Sequence, residues 1–252
     1  MAGDTIHGKT ALITGAAKRI GRATALALAA EGVNVIVHHR SSADEARQLQ
    51  RELGERGVRS WAVQADFARP QDYETLIERA LAAAGSLDFL VNSAAAFAAD
   101  TLDDVTLQNV TAMAQLNAWA PFVLSRSFAQ RVGRGKIVNF LDTRVQGYDF
   151  SHVAYILSKH MLALLTRMMA LEFAPDIRVN AVAPGLILPP PGKDEGYLRQ
   201  LAATVPLKRH GGPQDVAEAV VFLIKSDFIT GQVIHVDGGQ HLGEQADGPH
   251  PD

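Results

Sequence analysis

Along this chain, short uninterrupted apolar runs alternate with longer stretches in which apolar residues recur every three or four positions. The short runs are Thr10–Thr14, Val33–Val37, Ser60–Gln64, Asp88–Val91, Lys136–Phe140, Arg178–Val182 and Gln232–Val236. Most are rich in Val, Ile and Leu without polar alternation, as strands covered on both faces should be. Gly21–Glu31, Ser42–Gly54, Asp72–Ala84 and Leu102–Gln130 read as helices, the first closed by Gly32 in a C-terminal capping position. Strands and helices in this alternation predict βαβ units. The expected fold is α/β: one doubly wound domain with a seven-stranded parallel sheet and helices on both faces.

The longest predicted helix, Val153–Ala174, carries Leu157, Met161, Leu165, Met168 and Leu171 at spacings of three and four before Pro175 ends the pattern. Leu162, Leu164, Met169 and Phe173 widen its apolar surface. Such a helix is buried on more than one side, by its own domain or by a second subunit. The similarly apolar Leu102–Gln130 favours the subunit. Leu188–Gly196 is too rich in Pro and Gly to be regular and falls in a candidate substrate loop spanning residues 186–204. Residues 1–8 and 244–252 read as flexible ends, and no repeat or linker divides the 252 residues.

Composition narrows the setting. At 47% hydrophobic and 20% charged, the chain reads as an ordinary soluble protein. Its net charge is −3 with the basic residues dispersed, which predicts neither nucleic acid nor a membrane surface as partner. Zero cysteines exclude disulfides, thiolate metal sites and a cysteine nucleophile. No signal-like start and no run of about 18 apolar residues is present, so a cytoplasmic protein is expected, with no metal.

The first predicted strand runs into Thr14-Gly15-Ala16-Ala17-Lys18-Arg19-Ile20-Gly21, where a helix starts. Strand, glycine turn and helix N-terminus together make an anion site, or else a turn with no ligand. The first βα turn of a doubly wound chain is where a pyrophosphate would lie. The second strand ends in His38-His39-Arg40-Ser41, with no acid to take a ribose diol. Arg40, Ser41, Lys18 and Arg19 suit a 2′-phosphate instead, the alternative being a solvated basic turn. NADP(H) is therefore the expected cofactor.

Tyr155 and Lys159 stand one helical turn apart. An ammonium there would favour the phenolate and bring the hydroxyl closer to working pH as an acid. Asn117 is polar in an apolar neighbourhood, suited to holding water or a carbonyl on a relay to Lys159. Asp142 lies just beyond the fifth strand, thirteen residues before Tyr155.

Thr14–Gly21, Asn92-Ser93-Ala94-Ala95, Asn117, Tyr155 with Lys159, Arg178–Gly185 and Asp237-Gly238-Gly239 resemble, in order and spacing, the motifs of the short-chain dehydrogenase/reductase family. The resemblance spans about residues 9 to 242 and implies a Rossmann-type fold. It places Asn117, Tyr155 and Lys159 in the catalytic set. It also implies that Gly15, Ile20, Gly21, His39, Asp66, Phe67, Asn92, Ser93, Ala94, Tyr155, Lys159, Pro184 and Gly185 line the cofactor, and that the chain is a homotetramer.

Three departures narrow the resemblance. Arg19 replaces the middle glycine, Asp142 replaces the expected serine, and Asn-Ser-Ala-Ala followed by Phe97 replaces Asn-Asn-Ala-Gly. All three look like the pteridine reductases and bacterial dihydromonapterin/dihydrofolate reductases. That likeness implies that Arg19 reaches cofactor phosphate and substrate, Phe97 stacks on a pterin, and Asp142 joins Tyr155 in delivering a proton. Leu186 and Leu188 would line the pocket. A carboxylate in place of the serine would repel a developing oxyanion, which argues against simple ketone reduction. The alternatives are a carbonyl reductase (3-oxoacyl, sugar or steroid) and, less favoured, a non-catalytic NADP(H)-binding regulator.

Overall fold

The computed structural model describes residues 5–190 and 192–243. The predicted polar tail 244–252, the first four residues and Pro191 lie outside the described residues. Seven parallel strands form one sheet in the order β3-β2-β1-β4-β5-β6-β7. They are β1 Thr10–Ile13, β2 Asn34–His39, β3 Ser60–Gln64, β4 Phe89–Asn92, β5 Gly135–Phe140, β6 Ile177–Pro184 and β7 Val233–Val236. The order turns at β1: β2 and β3 lie to one side, and the chain then crosses to β4 on the other. This is the switch point at which doubly wound sheets open a crevice beyond their carboxyl ends.

The uninterrupted apolar strands are explained by cover on both faces. Ala11 and Ile13 face one core together with Leu28 of α1 (Arg19–Ala30), Leu49 of α2 (Ala43–Glu55) and the later Val220. Leu12 between them faces the opposite core, with Tyr73 of α3 (Pro70–Glu74) and Ile77 of α4 (Leu76–Ala84). Successive side chains point to opposite faces of a strand, so a run without polar interruption fits only a sheet sandwiched between helices. Removing Leu12, which is fully buried, would cost about 2–5 kcal/mol by transfer and cavity terms.

The predicted helix Leu102–Gln130 is shorter at its start and is not one regular element. Thr106 caps α5 (Leu107–Ala114) by accepting from the Asn109 N–H at 3.2 Å. A π-turn, Gln115–Trp119, then leads into α6 (Ala120–Val132). Asp72–Ala84 likewise breaks at Thr75 into α3 and α4. The long helix α7 spans Val153–Glu172. The loop expected at Leu188–Gly196 ends early, because Asp194 caps α8 (Glu195–Ala202) through the Gly196 N–H at 2.9 Å. Helices α9 (Pro213–Lys225) and α10 (Gln240–Gly243) complete the chain. Ile6 is buried and Gly8 donates to the Gly32 carbonyl at 2.9 Å, so the packed body begins inside the predicted flexible end 1–8. Among the described residues no helix is long and apolar enough to cross a membrane.

Candidate active site

The crevice opens where the loops after β1 and β4 meet. Thr14 accepts the N–H groups of Ser93 and Ala94, each at 2.9 Å, which ties the two strand ends together. Gly15 sits at φ +66°, and a Cβ there would stand 3.0 Å from the Ala94 Cα, so only glycine fits. A side chain at Gly21 would run into the Gly15 carbonyl. Helix α1 starts at Arg19 with no side-chain cap and no acid in its first turn. Its leading N–H groups are left for an anion.

Arg19 itself adopts φ +54°, the conformation a glycine would supply, at a cost of about 1–2 kcal/mol. Its guanidinium donates to the Pro189 carbonyl at 3.0 Å, joining the phosphate turn to the loop that contains Leu186 and Leu188. Both leucines are half-buried, with Leu188 packed against the core. Pro184 ends β6, and a Cβ at Gly185 would stand 2.5 Å from that of Asp237.

The end of β2 is organised by His38. Its Nδ1 accepts the Gly15 N–H at 3.0 Å, its Nε2 pairs with the Ala65 carbonyl at 3.1 Å, and its ring stacks on Phe67 at 4.7 Å. Burial pushes its pKa down to about 4, which keeps Nδ1 a neutral acceptor. Arg40 and Ser41 are exposed beside His39, whose buried Nδ1 has no protein partner. Lys18 pairs with Glu45 at 2.7 Å. Asp66 opens the neighbouring turn, its N–H held by Asp72 at 2.7 Å. The uncapped helix, the exposed Arg40 and the orphaned His39 nitrogen fit a dinucleotide with an extra ribose phosphate.

Not every predicted lining residue turns its side chain to the crevice. The Asn92 amide donates to Asn139 Oδ1 at 2.8 Å and to Ser125 Oγ at 3.2 Å, inside the molecule. Phe67 is likewise committed to His38 and Tyr73. Only the backbone at these two positions is left to meet a ligand.

At the other side of the crevice, the Tyr155 hydroxyl donates to Asp142 Oδ2 at 3.0 Å. Asp100 fixes the start of α7 by accepting the Ala154 N–H at 3.0 Å. Lys159 is fully buried and donates to the Phe140 carbonyl at 2.8 Å, with its nitrogen 5.6 Å from the Tyr155 ring centre. Burial lowers its pKa to about 8. The expectation that Lys159 draws the phenol down is reversed, because burial and then the adjacent Asp142 carboxylate push Tyr155 well above its ordinary value. Asn117 does not touch Lys159 through its side chain. It holds both backbone groups of Ala96, at 2.8 and 2.9 Å, and reaches Ser158 Oγ at 3.0 Å. Ser158 in turn donates to the Tyr155 carbonyl.

Phe97 is not core: it is 47% exposed, stacks on His152 at 4.1 Å and meets Tyr155 edge-on at 4.7 Å. The structure adds residues that sequence reasoning missed. Arg144 joins Asp142 to Asp149, and Asp149 also holds His152 at 2.9 Å. Thr143 donates to Asp237 after β7. For Arg144, Asp149 and His152 the sequence signal was no more than charged or titratable residues in the stretch between Asp142 and Tyr155, and Asp237 stood in a motif without an assigned contact.

A family model described as Enoyl-(Acyl carrier protein) reductase matches residues 15–241. The 3-oxoacyl-(acyl-carrier-protein) reductase FabG of Staphylococcus epidermidis is 34% identical, over 93% of this chain and 99% of that one. FolM alternative dihydrofolate reductase 1 from Brucella canis, complexed with NADP, is similar with a TM-score of 0.87 and 32% identity, covering 94% of this chain and 96% of that one. Its counterpart from Brucella suis, also with NADP, gives a TM-score of 0.89 at 31% identity over the same shares.

Proposed function

This chain belongs to the short-chain dehydrogenase/reductase family, and on that premise we propose that it reduces a pterin-like ring with NADPH. It is an NADP(H)-dependent oxidoreductase, in keeping with the NADP carried by both Brucella neighbours. When bound, NADPH supplies a hydride. The residues of the chain do the rest. The α1 N-terminus and Arg40 hold phosphates, Lys159 fixes the crevice wall, and Asn117 positions the segment that carries Phe97.

One observation carries the pterin reading: Tyr155 donates to a carboxylate, not to a serine, directly beside an exposed aromatic ring. Reduction of a C=N bond needs a proton at nitrogen, which Tyr155 and Asp142 are arranged to deliver. Phe97 offers a flat heterocycle a stacking surface, and Arg19 bridges the phosphate turn to the loop above. The carbonyl-reductase reading is favoured by the likeness to the 3-oxoacyl reductase. A homotetramer is the assembly we assign, with the exposed apolar stripe of α7 as one contact face.

The test mixes purified protein and NADPH with dihydrofolate, dihydrobiopterin or a 3-oxoacyl thioester, and follows NADPH absorbance. Turnover of dihydropterins supports the reading. Reduction of the thioester without any dihydropterin would replace it with the carbonyl alternative.

A further inference from the structure

We propose that Arg144 is a positioning residue for the proton-delivering pair, holding Asp142 in register with Tyr155 and offsetting its charge. This rests on the reading of Tyr155 and Asp142 as that pair. The difficulty it addresses is electrostatic: a carboxylate 3.0 Å from a phenol opposes loss of the phenol's proton. Without a counter-charge, the residue that distinguishes this site would also slow it.

Arg144 is placed to lessen that conflict. It is the second residue of the single helical turn Thr143–Gln146, which Asp142 caps. Its backbone N–H and its Nε both donate to Asp142 Oδ1, at 3.0 and 3.1 Å. Oδ1 is thus held by Arg144 alone, while Oδ2 accepts from Tyr155 at 3.0 Å and, more weakly, from Arg144 Nη2 at 3.5 Å. The carboxylate cannot rotate without losing both arrangements. Its far side is fixed as well. The second end of the guanidinium pairs with Asp149, whose side chain is 6% exposed and which also accepts from the Ser151 N–H at 2.8 Å and holds His152.

The groups close a ring. Tyr155 meets Asp142, Asp142 meets Arg144, Arg144 meets Asp149, Asp149 meets His152, His152 stacks on Phe97, and Phe97 returns edge-on to Tyr155. The guanidinium also lies 5.8 Å from the Phe97 ring centre. The charged groups facing Tyr155 are therefore Asp142, Arg144 and Asp149, with Lys159 one turn along its own helix. Of these, Asp142 and Asp149 raise the phenol's pKa and Arg144 lowers it. Arg144 keeps its own protons throughout. The O–H bond that breaks is that of Tyr155, and the N–H bond that forms is on the substrate.

The test compares wild type, Arg144→Gln and Arg144→Lys as full chains. It measures NADPH affinity by fluorescence, thermal stability, kcat for dihydrobiopterin from pH 5 up to the alkaline limit of the folded protein, and the ultraviolet phenolate signal of Tyr155 over the same range, with Tyr155→Phe as the blank, so that the tyrosine limb is separated from Lys159. Arg144→Gln should lower kcat by about tenfold or more and move the alkaline limb to higher pH, with NADPH affinity within about twofold. Arg144→Lys keeps the charge and loses the fork, so the limb should stay and kcat fall by only about three- to tenfold. An unchanged pH profile and kcat in Arg144→Gln would overturn the proposal, as would a loss confined to stability or NADPH affinity. If Arg144→Gln does not fold, Arg144→Lys decides: wild-type kcat or a displaced limb rejects the role. Failure of the pterin reading is seen separately, as wild type that turns over only the thioester, and the same comparison is then run with that substrate.

Discussion

The Tyr155 hydroxyl and Asp142 Oδ2 stand 3.0 Å apart, so the phenol directs its proton at a carboxylate. Tyr155→Phe removes that proton and little else. Turnover should fall by about 10²–10⁴-fold, while NADPH affinity stays within about twofold. Stopped-flow reduction alongside fluorescence titration checks both halves.

Asp142→Ser should exchange one chemistry for another. Pterin turnover drops, and activity on a 3-oxoacyl thioester rises, because a serine donates to a developing oxyanion that a carboxylate repels. Steady-state kinetics on both substrates, expressed as a ratio of kcat/KM values, reads the exchange. A ratio that does not move would remove Asp142 from specificity.

Lys159 is a stability liability. Its folded pKa of about 8 lies below its ordinary 10.5, so the folded chain holds that proton less tightly than the unfolded chain. The penalty is fully present below pH 8 and disappears as pH rises towards 10.5, amounting to about 3 kcal/mol. Lys159→Met should stabilise the cofactor-free protein at pH 7 by about 1–3 kcal/mol, flatten the pH dependence between 8 and 10.5, and abolish turnover. Urea unfolding at pH 7 and pH 10 measures it.

His38 acts in the opposite range. Its folded pKa of about 4 against an ordinary 6.5 means the fold requires the neutral ring. Its contribution is complete above pH 6.5 and is lost as pH falls to 4, about 3 kcal/mol in all. His38→Asn keeps an acceptor for the Gly15 N–H and should flatten stability over that interval, as read by thermal melts.

Arg19 trades strain for contact. Arg19→Gly relieves a left-handed φ of +54° and loses the bond to Pro189. We expect a gain of about 1 kcal/mol in stability together with a rise in substrate KM of about tenfold. A rise in melting temperature without a KM change would show that the loop contact does nothing for binding.

The strands and their sheet were legible because apolar runs without alternation have only one stable setting, between two helical layers. The breaks within helices were not. Thr75 is no breaker residue, whereas the π-turn at Gln115–Trp119 had a signal that was passed over: Pro121 has no N–H to give the Asn117 carbonyl four residues earlier. Asp194 did carry a signal, since it is a good cap, but it was hidden among prolines. In the site, the family resemblance singled out Tyr155, Lys159 and Asp142, and the structure brings Tyr155 against Asp142. The resemblance could not tell that Asn92 and Phe67 face inward, because side-chain direction there depends on which helices lie behind the sheet. The sign of the Tyr155 shift was missed for a related reason: helical spacing shows Lys159 nearby, while the closer carboxylate arrives from another element. Arg144, Asp149 and His152 converge only through the turns between β5 and α7, which no periodicity describes.

Thr143, next to Asp142, is tied to Asp237, ninety-four residues further along the chain. That tie gives the site a place in time. During synthesis the cofactor turn, the tyrosine and the aspartate all emerge well before β7, and pairings between distant residues form late. A nascent chain that stops short of Asp237 thus carries every candidate catalytic residue but lacks the anchor for the loop that aims them. The loop that aims Asp142 should therefore reach its final geometry only after β7 and Asp237 have joined the sheet.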